Sequence, residues 1–289
     1  MSEKEIQELM VTIFLGYKYR KQHDMLYSQD AKVPMSLIKL YYSDKMNRLD
    51  VNSVSQNFIG RYIKNESFVE EVHDADEIKG LGVMYDTMQN MTEDEFELFS
   101  LPTLHRALYS KCEFNDFGGK LRTSSAYLKG CQVDLSEPGD ILMDLINVED
   151  VFNNLKSFAI AMRESNDYSQ IRPFIRECIK LKCRLIKIHP FQDGNGRTIR
   201  CFINKLFELA SIPPVYISKN EKDEYKDAMN EALRYRSCGE IDDDSKYDKI
   251  ANFYLYKICD SIIELDINKR IQKEKGEGVY EKRKVSSKK

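Results

Sequence analysis

A break between two helical stripes constrains this chain more than any other feature of its sequence. Phe174, Ile175, Cys178, Ile179, Lys182 and Ile186 recur at helical spacing and run up to His189-Pro190. Beyond Phe191-Gln192-Asp193-Gly194-Asn195-Gly196 a second stripe begins: Ile199, Phe202, Ile203, Leu206, Phe207 and Ala210, which makes one apolar face. Pro173 suits the first helical position of the leading helix. Pro190 disfavours helical geometry at His189, so that helix ends there. Two helices therefore meet through a short glycine-rich loop, and the loop lies at the amino end of the second.

That placement has chemical consequences. The first N–H groups of a helix are unpaired and its macrodipole puts about half a positive charge there, so the end attracts phosphate. Gly194 and Gly196 let the backbone come close to a ligand, and Asn195 can donate from its side chain. Arg197 and Arg200 are three apart and project from the first turn, where guanidinium forks suit phosphate oxygens. Asp193 is a hard oxygen ligand, and one carboxylate plus substrate phosphates is a common way to hold Mg²⁺. His189, with a reference pKa of roughly 6.5, can act as a neutral base near pH 7. Singly, a histidine before proline is a helix-end residue and Gly-Asn-Gly is a turn. Jointly, these residues describe a base beside an anion cradle with a metal. No Gly-Lys-Ser/Thr follows the glycines, which excludes a Walker A loop.

The run His189–Arg200 resembles, at every signature position, the HxFx(D/E)GNGRxxR motif of the Fic family. Gly119-Lys120-Leu121-Arg122 is similar to the family's GxxR segment, with Tyr127, Leu128 and Lys129 in the flap that follows. Asp223–Met229 resembles the region that closes over adenine, with Tyr225 as its candidate nucleotide contact. The resemblance implies an all-α Fic fold, a helical bundle with a small β-hairpin flap beside the active-site loop. It implies transfer of AMP from ATP to a Tyr, Thr or Ser hydroxyl of a target protein, with auto-AMPylation. His189 would be the base, Phe191 the loop's anchor, and Asp193 the holder of Mg²⁺ at the α- and β-phosphates. Gly194, Asn195 and Gly196 would form the anion hole, with Arg197 at the β-phosphate and Arg200 at the γ-phosphate. The flap would hold the target by main-chain pairing. The intact GNGR portion favours nucleotidyl transfer over phosphocholine transfer or kinase-like chemistry. The alternatives are a deAMPylase of the same fold and a regulatory module that senses ATP without chemistry.

Many family members restrain themselves through an inhibitory helix, (S/T)xxxE(G/N), whose glutamate pairs with the second arginine. Asn52–Phe58 aligns with that pattern through Ser53, but Asn57 stands where the glutamate belongs. This predicts weak or absent self-inhibition, with control left to an antitoxin-like partner or to oligomer state. Ser67 with Glu71 has the spacing, yet Ser67 and Glu70 read better as a capping box that opens a helix.

The remaining sequence sets bounds. A net charge of −3 argues against general nucleic-acid or membrane-surface binding, and no apolar run reaches transmembrane length. Seven scattered cysteines without CxxC spacing point to a reducing cytoplasm and against zinc, although translocation as an effector stays open. The spacing predicts helices over Glu5–Gln22, Met35–Leu49, Ser67–Met88, Asn147–Arg163 and Asp248–Asp266, one opening at Thr92–Glu95, and a strand at Ala126–Val133. The organisation read from this is an N-terminal helical region over 1–99, a catalytic core over 100–265 and a charged tail over 266–289.

Overall fold

The computed structural model describes residues 56–128, 130–131, 133–234, 244–262 and 264–265, together with Ile38 and Tyr42. The expected helix Glu5–Gln22, Ser53, Lys129 and the tail fall outside the described residues, as does all of Met35–Leu49 except Ile38 and Tyr42. The described chain is helical. In order it forms α1 (Gln56–Val69), α2 (Ala75–Asn90), α3 (Ser100–Leu108), α4 (Ile141–Ser165), α5 (Ile171–Ile188), α6 (Asn195–Leu209) and α7 (Lys222–Leu233), and then α8 over 248–262.

The motif helix α6 is the axis of the bundle, in contact with α2, α3, α4 and α5. Its sequence predicts one apolar face; the structure encloses it on every side. Arg197, Arg200, Asn204 and Lys205 are buried along with Phe202, Ile203, Leu206 and Phe207. Burying such polar groups is costly unless each finds a partner. Asn204 meets both backbone groups of Val215 at 2.9 Å, and Lys205 meets Glu208 at 2.8 Å. The two arginines use carboxylates from α1 and α2.

The single helix expected over Ser67–Met88 is two. Ser67 lies in the last turn of α1, where its hydroxyl donates to the Lys64 carbonyl at 2.8 Å, and so it opens nothing. The chain turns at Glu71, with φ of 58°. Asp74 then caps α2, accepting from the amides of Asp76 and Glu77 at 2.9 and 2.8 Å, and two acidic residues follow in the first turn, as the dipole favours. Gly80 allows α2 to lie against α3. A Cβ there would stand 1.8 Å from the Leu108 carbonyl oxygen. The turn at Thr92–Glu95 closes on its own side chains, and α3 starts only at Ser100.

Among the described residues no strand forms. Between Leu121 and Pro138 the described residues carry no ladder, and Gly130 (φ 81°) lies in a turn closed by the Cys131 amide on the Leu128 carbonyl at 3.3 Å. No described helix is long and apolar enough to cross a membrane.

Candidate active site

His189 terminates α5 in the left-handed region, with φ 49° and ψ 60°. Its amide still caps the helix by donating to the Leu185 carbonyl at 3.0 Å, while Pro190 prevents any continuation. Burial pulls the imidazole below its ordinary pKa, against the opposing influence of the Ile186 carbonyl. The neutral, proton-accepting form therefore prevails at pH 7.

The loop is laced by its own asparagine. Asn195 accepts from the Phe191 amide at 2.9 Å and donates to the Phe191 carbonyl at 2.7 Å. That side chain, expected to donate to a ligand, is instead committed to the backbone. Phe191 is fully buried and stacks on His105, with ring centroids 3.9 Å apart. Gly194 has φ of 72°, and a Cβ there would stand 2.9 Å from Leu108 and from the Tyr109 hydroxyl. A glycine is required for both reasons. The first amides of α6, that of Gly196 included, have no acceptor within the helix, and this is where the cradle was expected.

A carboxylate already lies against Gly196. A Cβ on Gly196 would meet Glu70 Oε1 at 2.6 Å and the Arg200 guanidinium at 3.0 Å. Arg200 is bound by Glu66 Oε2, at 2.8 Å from Nε and 2.8 Å from Nη2, and by Glu70 at 2.6 Å. Glu70 is pushed up by burial, but the Arg200 charge outweighs this and holds it below the ordinary carboxylate range. Arg197 is bound by Glu77 and by the Tyr109 hydroxyl, the latter at 3.1 Å, with Asp193 3.6 Å away.

These contacts correct the expected regulatory position. Asn57 lies nine residues before Glu66 on the same helix, about 13 Å along its axis, and so cannot share Glu66's place at Arg200. Glu71 pairs with Lys222 instead. The second motif arginine thus does face acidic side chains, from Glu66 and Glu70 and not from the Asn57 position that led to the expectation of weak or absent self-inhibition.

Asp193 is exposed, as is Gln192 beside it, with 71% of the Asp193 side chain accessible. Its Oδ1 accepts from the Gly194 amide at 2.7 Å. Among the described residues no group of three or more His, Cys, Asp or Glu forms a metal cage. The donor set nonetheless fits Mg²⁺, which takes one or two carboxylates and completes its shell with phosphate oxygens and water.

The other expected residues divide. Tyr225 on α7 is buried, accepts from the buried Lys182 ammonium at 2.6 Å and lies under Arg200, 5.9 Å from ring centroid to guanidinium. Tyr127 is 84% exposed and Leu128 is half-buried. A cleft of 940 Å³ lies between Gly130, Cys131, Val133 and Asp134 on one side and, on the other, Asn230 and Glu231 of α7 with Arg234 at its end.

Two further residues hold the site together. Arg122 is buried and donates to carbonyls all round it: His189 at 2.7 Å, Ser124 at 2.8 Å, and Ser136. Its amide donates to Pro190 at 2.9 Å. The Gly119–Arg122 resemblance singled it out without giving it a task. The other is His105, which no local sequence pattern marks.

Comparison with known proteins agrees with this geometry. The profile of the Fic/DOC family matches residues 95–207. Residues 95–207 carry a Fic domain. It is 31% identical over 115 residues to a protein named protein adenylyltransferase Fic from Aedes aegypti, covering 40% of this chain and 20% of that one. A protein of the same name from Drosophila willistoni is 27% identical over 158 residues, covering 54% and 29% respectively. The match thus spans less than a third of either relative. Among solved structures, a Fic domain containing signaling protein from Bacteroides thetaiotaomicron superposes with a TM-score of 0.58 at 15% identity, covering 80% of this chain and 95% of that one. A Fic-1 fragment from C. elegans gives 0.55 at 15% identity, covering 90% and 88%. These likenesses support the helical Fic fold.

Proposed function

We propose that this Fic domain transfers AMP from ATP to a hydroxyl side chain of a protein, itself included, and that Glu66 and Glu70 restrain it. One observation carries the reading: the Glu70 carboxylate lies against Gly196 and Arg200, a stand-in anion in a cradle that suits a phosphate. Arg197 and Arg200 would grip the distal phosphates once their carboxylates move aside. His189 would accept the hydroxyl proton as the oxygen attacks the α-phosphorus, the bond to the β-phosphate breaks and pyrophosphate leaves. Mg²⁺, held by Asp193, would supply charge neutralisation on the phosphates. The segment around Tyr127 and Leu128 would receive the target backbone as an extended flap.

The test is labelling with ATP carrying its label on the α-phosphate. His189→Ala should lose ~10²–10⁴ in transfer rate, the usual worth of a general base, while ATP binding persists. Transfer at the parent rate in that variant refutes the role of His189. A second reading, removal of AMP from modified proteins, draws on the carboxylates now seen beside the cradle, which could activate water. Release of label from pre-labelled protein, rather than its uptake, would favour that reading.

A further inference from the structure

His105 takes no part in the transfer outlined above, yet it is fully buried with both ring nitrogens engaged. Nδ1 accepts from the Gly119 amide at 2.8 Å. A nitrogen that accepts carries no proton in the neutral ring. The proton is therefore on Nε2, which donates to the Asp193 carbonyl at 2.9 Å. Three residues beyond Gly119 stands Arg122, whose side chain and amide hold the carbonyls of His189 and Pro190. One imidazole thus spans the segment that fixes the proposed base and the residue whose carboxylate faces solvent. Tyr109, one turn further along, accepts from Arg197 and faces the Asp193 carboxylate.

We infer that His105 is a positioning residue that sets the Asp193 peptide plane, and through it the aim of the Asp193 carboxylate toward a divalent cation. This rests on the function proposed above. The stack on Phe191 seats the loop independently of the two hydrogen bonds. Losing those bonds should therefore impair the metal-dependent part of nucleotide binding and leave the arginine grip intact. Outer-shell partners of metal ligands typically matter by about 10–100-fold in metal affinity or activity.

The experiment is calorimetric titration of ATP, with and without Mg²⁺, into the full chain carrying Glu70→Gln, which removes the charge that lies against Gly196. His105→Phe keeps an aromatic ring on Phe191 and removes both hydrogen bonds. His105→Gln keeps a donor near the Nε2 position, and His105→Asn keeps an acceptor near Nδ1. The Mg²⁺-dependent gain in affinity should fall about tenfold in His105→Phe and be largely restored in His105→Gln, with the Mg²⁺-free affinity unchanged. An undiminished gain in His105→Phe overturns the inference. Should that variant fail to fold by thermal melting, the comparison passes to the amides, where His105→Asn equalling or exceeding His105→Gln overturns it. A parent that binds ATP equally with and without Mg²⁺ also overturns it, while leaving nucleotide binding standing. A parent that binds no ATP refutes the proposed function, and this inference falls with it.

Discussion

Replacing Glu66 and Glu70 by glutamine, singly and together, separates restraint from scaffold. Glutamine keeps the volume and removes the charge, so packing around Arg200 changes little. A hydrogen bond to a charged group is worth about 1.5–3 kcal/mol, and each 1.4 kcal/mol is tenfold in an equilibrium. Freeing Arg200 from one carboxylate should then raise ATP affinity by about 10- to 140-fold. Glu70 contributes one contact, at 2.6 Å, and a third of its side chain is exposed, so Glu70→Gln belongs at the lower end. Its melting temperature should barely move. Glu66 is fully buried and contributes two contacts at 2.8 Å. Glu66→Gln should combine a larger gain with a fall in stability of about 1–3 kcal/mol, the cost of leaving a buried charge less well matched. Calorimetry gives the affinity, initial rates of label incorporation the activity, and thermal melting the stability. Unchanged ATP affinity in both single variants and in the double variant would show that these carboxylates do not compete with phosphate.

Other expectations follow from single contacts. Arg122→Lys replaces a planar fork with one compact ammonium and should cost about 2–4 kcal/mol, read as a lower denaturant midpoint; an unchanged midpoint counts against the clamp at His189. Gly194→Ala meets both a positive φ and a 2.9 Å approach to Leu108 and Tyr109. It should lose about 1–3 kcal/mol of stability together with ATP binding, and wild-type behaviour in both would count against the packing described. Burial pulls His105 down to a pKa of about 4, so the unfolded chain binds the extra proton first as the pH falls. Stability from this residue is intact above about pH 6.5 and falls by ~3 kcal/mol on descending to about pH 4; His105→Gln should flatten that slope. His189 is likewise shifted down, so transfer should be level above about pH 6.5 and decline only on the acid side. A rate still rising between pH 7 and 8 would argue for a different base.

The sequence made the site's local part legible because its determinants sit within one turn of each other. Pro190 ends one helix, the glycines open the next, and the arginines follow at helical spacing. The acidic side chains on Arg197 and Arg200 were not legible, since they arrive from helices more than a hundred residues earlier and periodicity carries no long-range pairing. Asn57 was chosen by motif spacing, whereas helix packing brings Glu66 and Glu70 to the arginine. The start of α2 does have a local signal: Asp74 followed by Asp76 and Glu77 is a cap with an acidic first turn. The expected strand at Ala126–Val133 rested on local composition, which cannot by itself provide a pairing partner.

Because both arginines already hold anions, nucleotide entry under the proposed function would be an ion exchange and not the filling of an open positive socket. The neutralised mouth exerts little long-range pull, so association should gain little from electrostatic steering and lose little to added salt. Discrimination then falls to geometry at close range. A ligand must present negative oxygens at two separated guanidinium groups to displace Glu77 and the Glu66–Glu70 pair together. On that reasoning a triphosphate should displace the carboxylates better than inorganic phosphate or a monophosphate, and abundant cellular anions would be turned away without a dedicated gate.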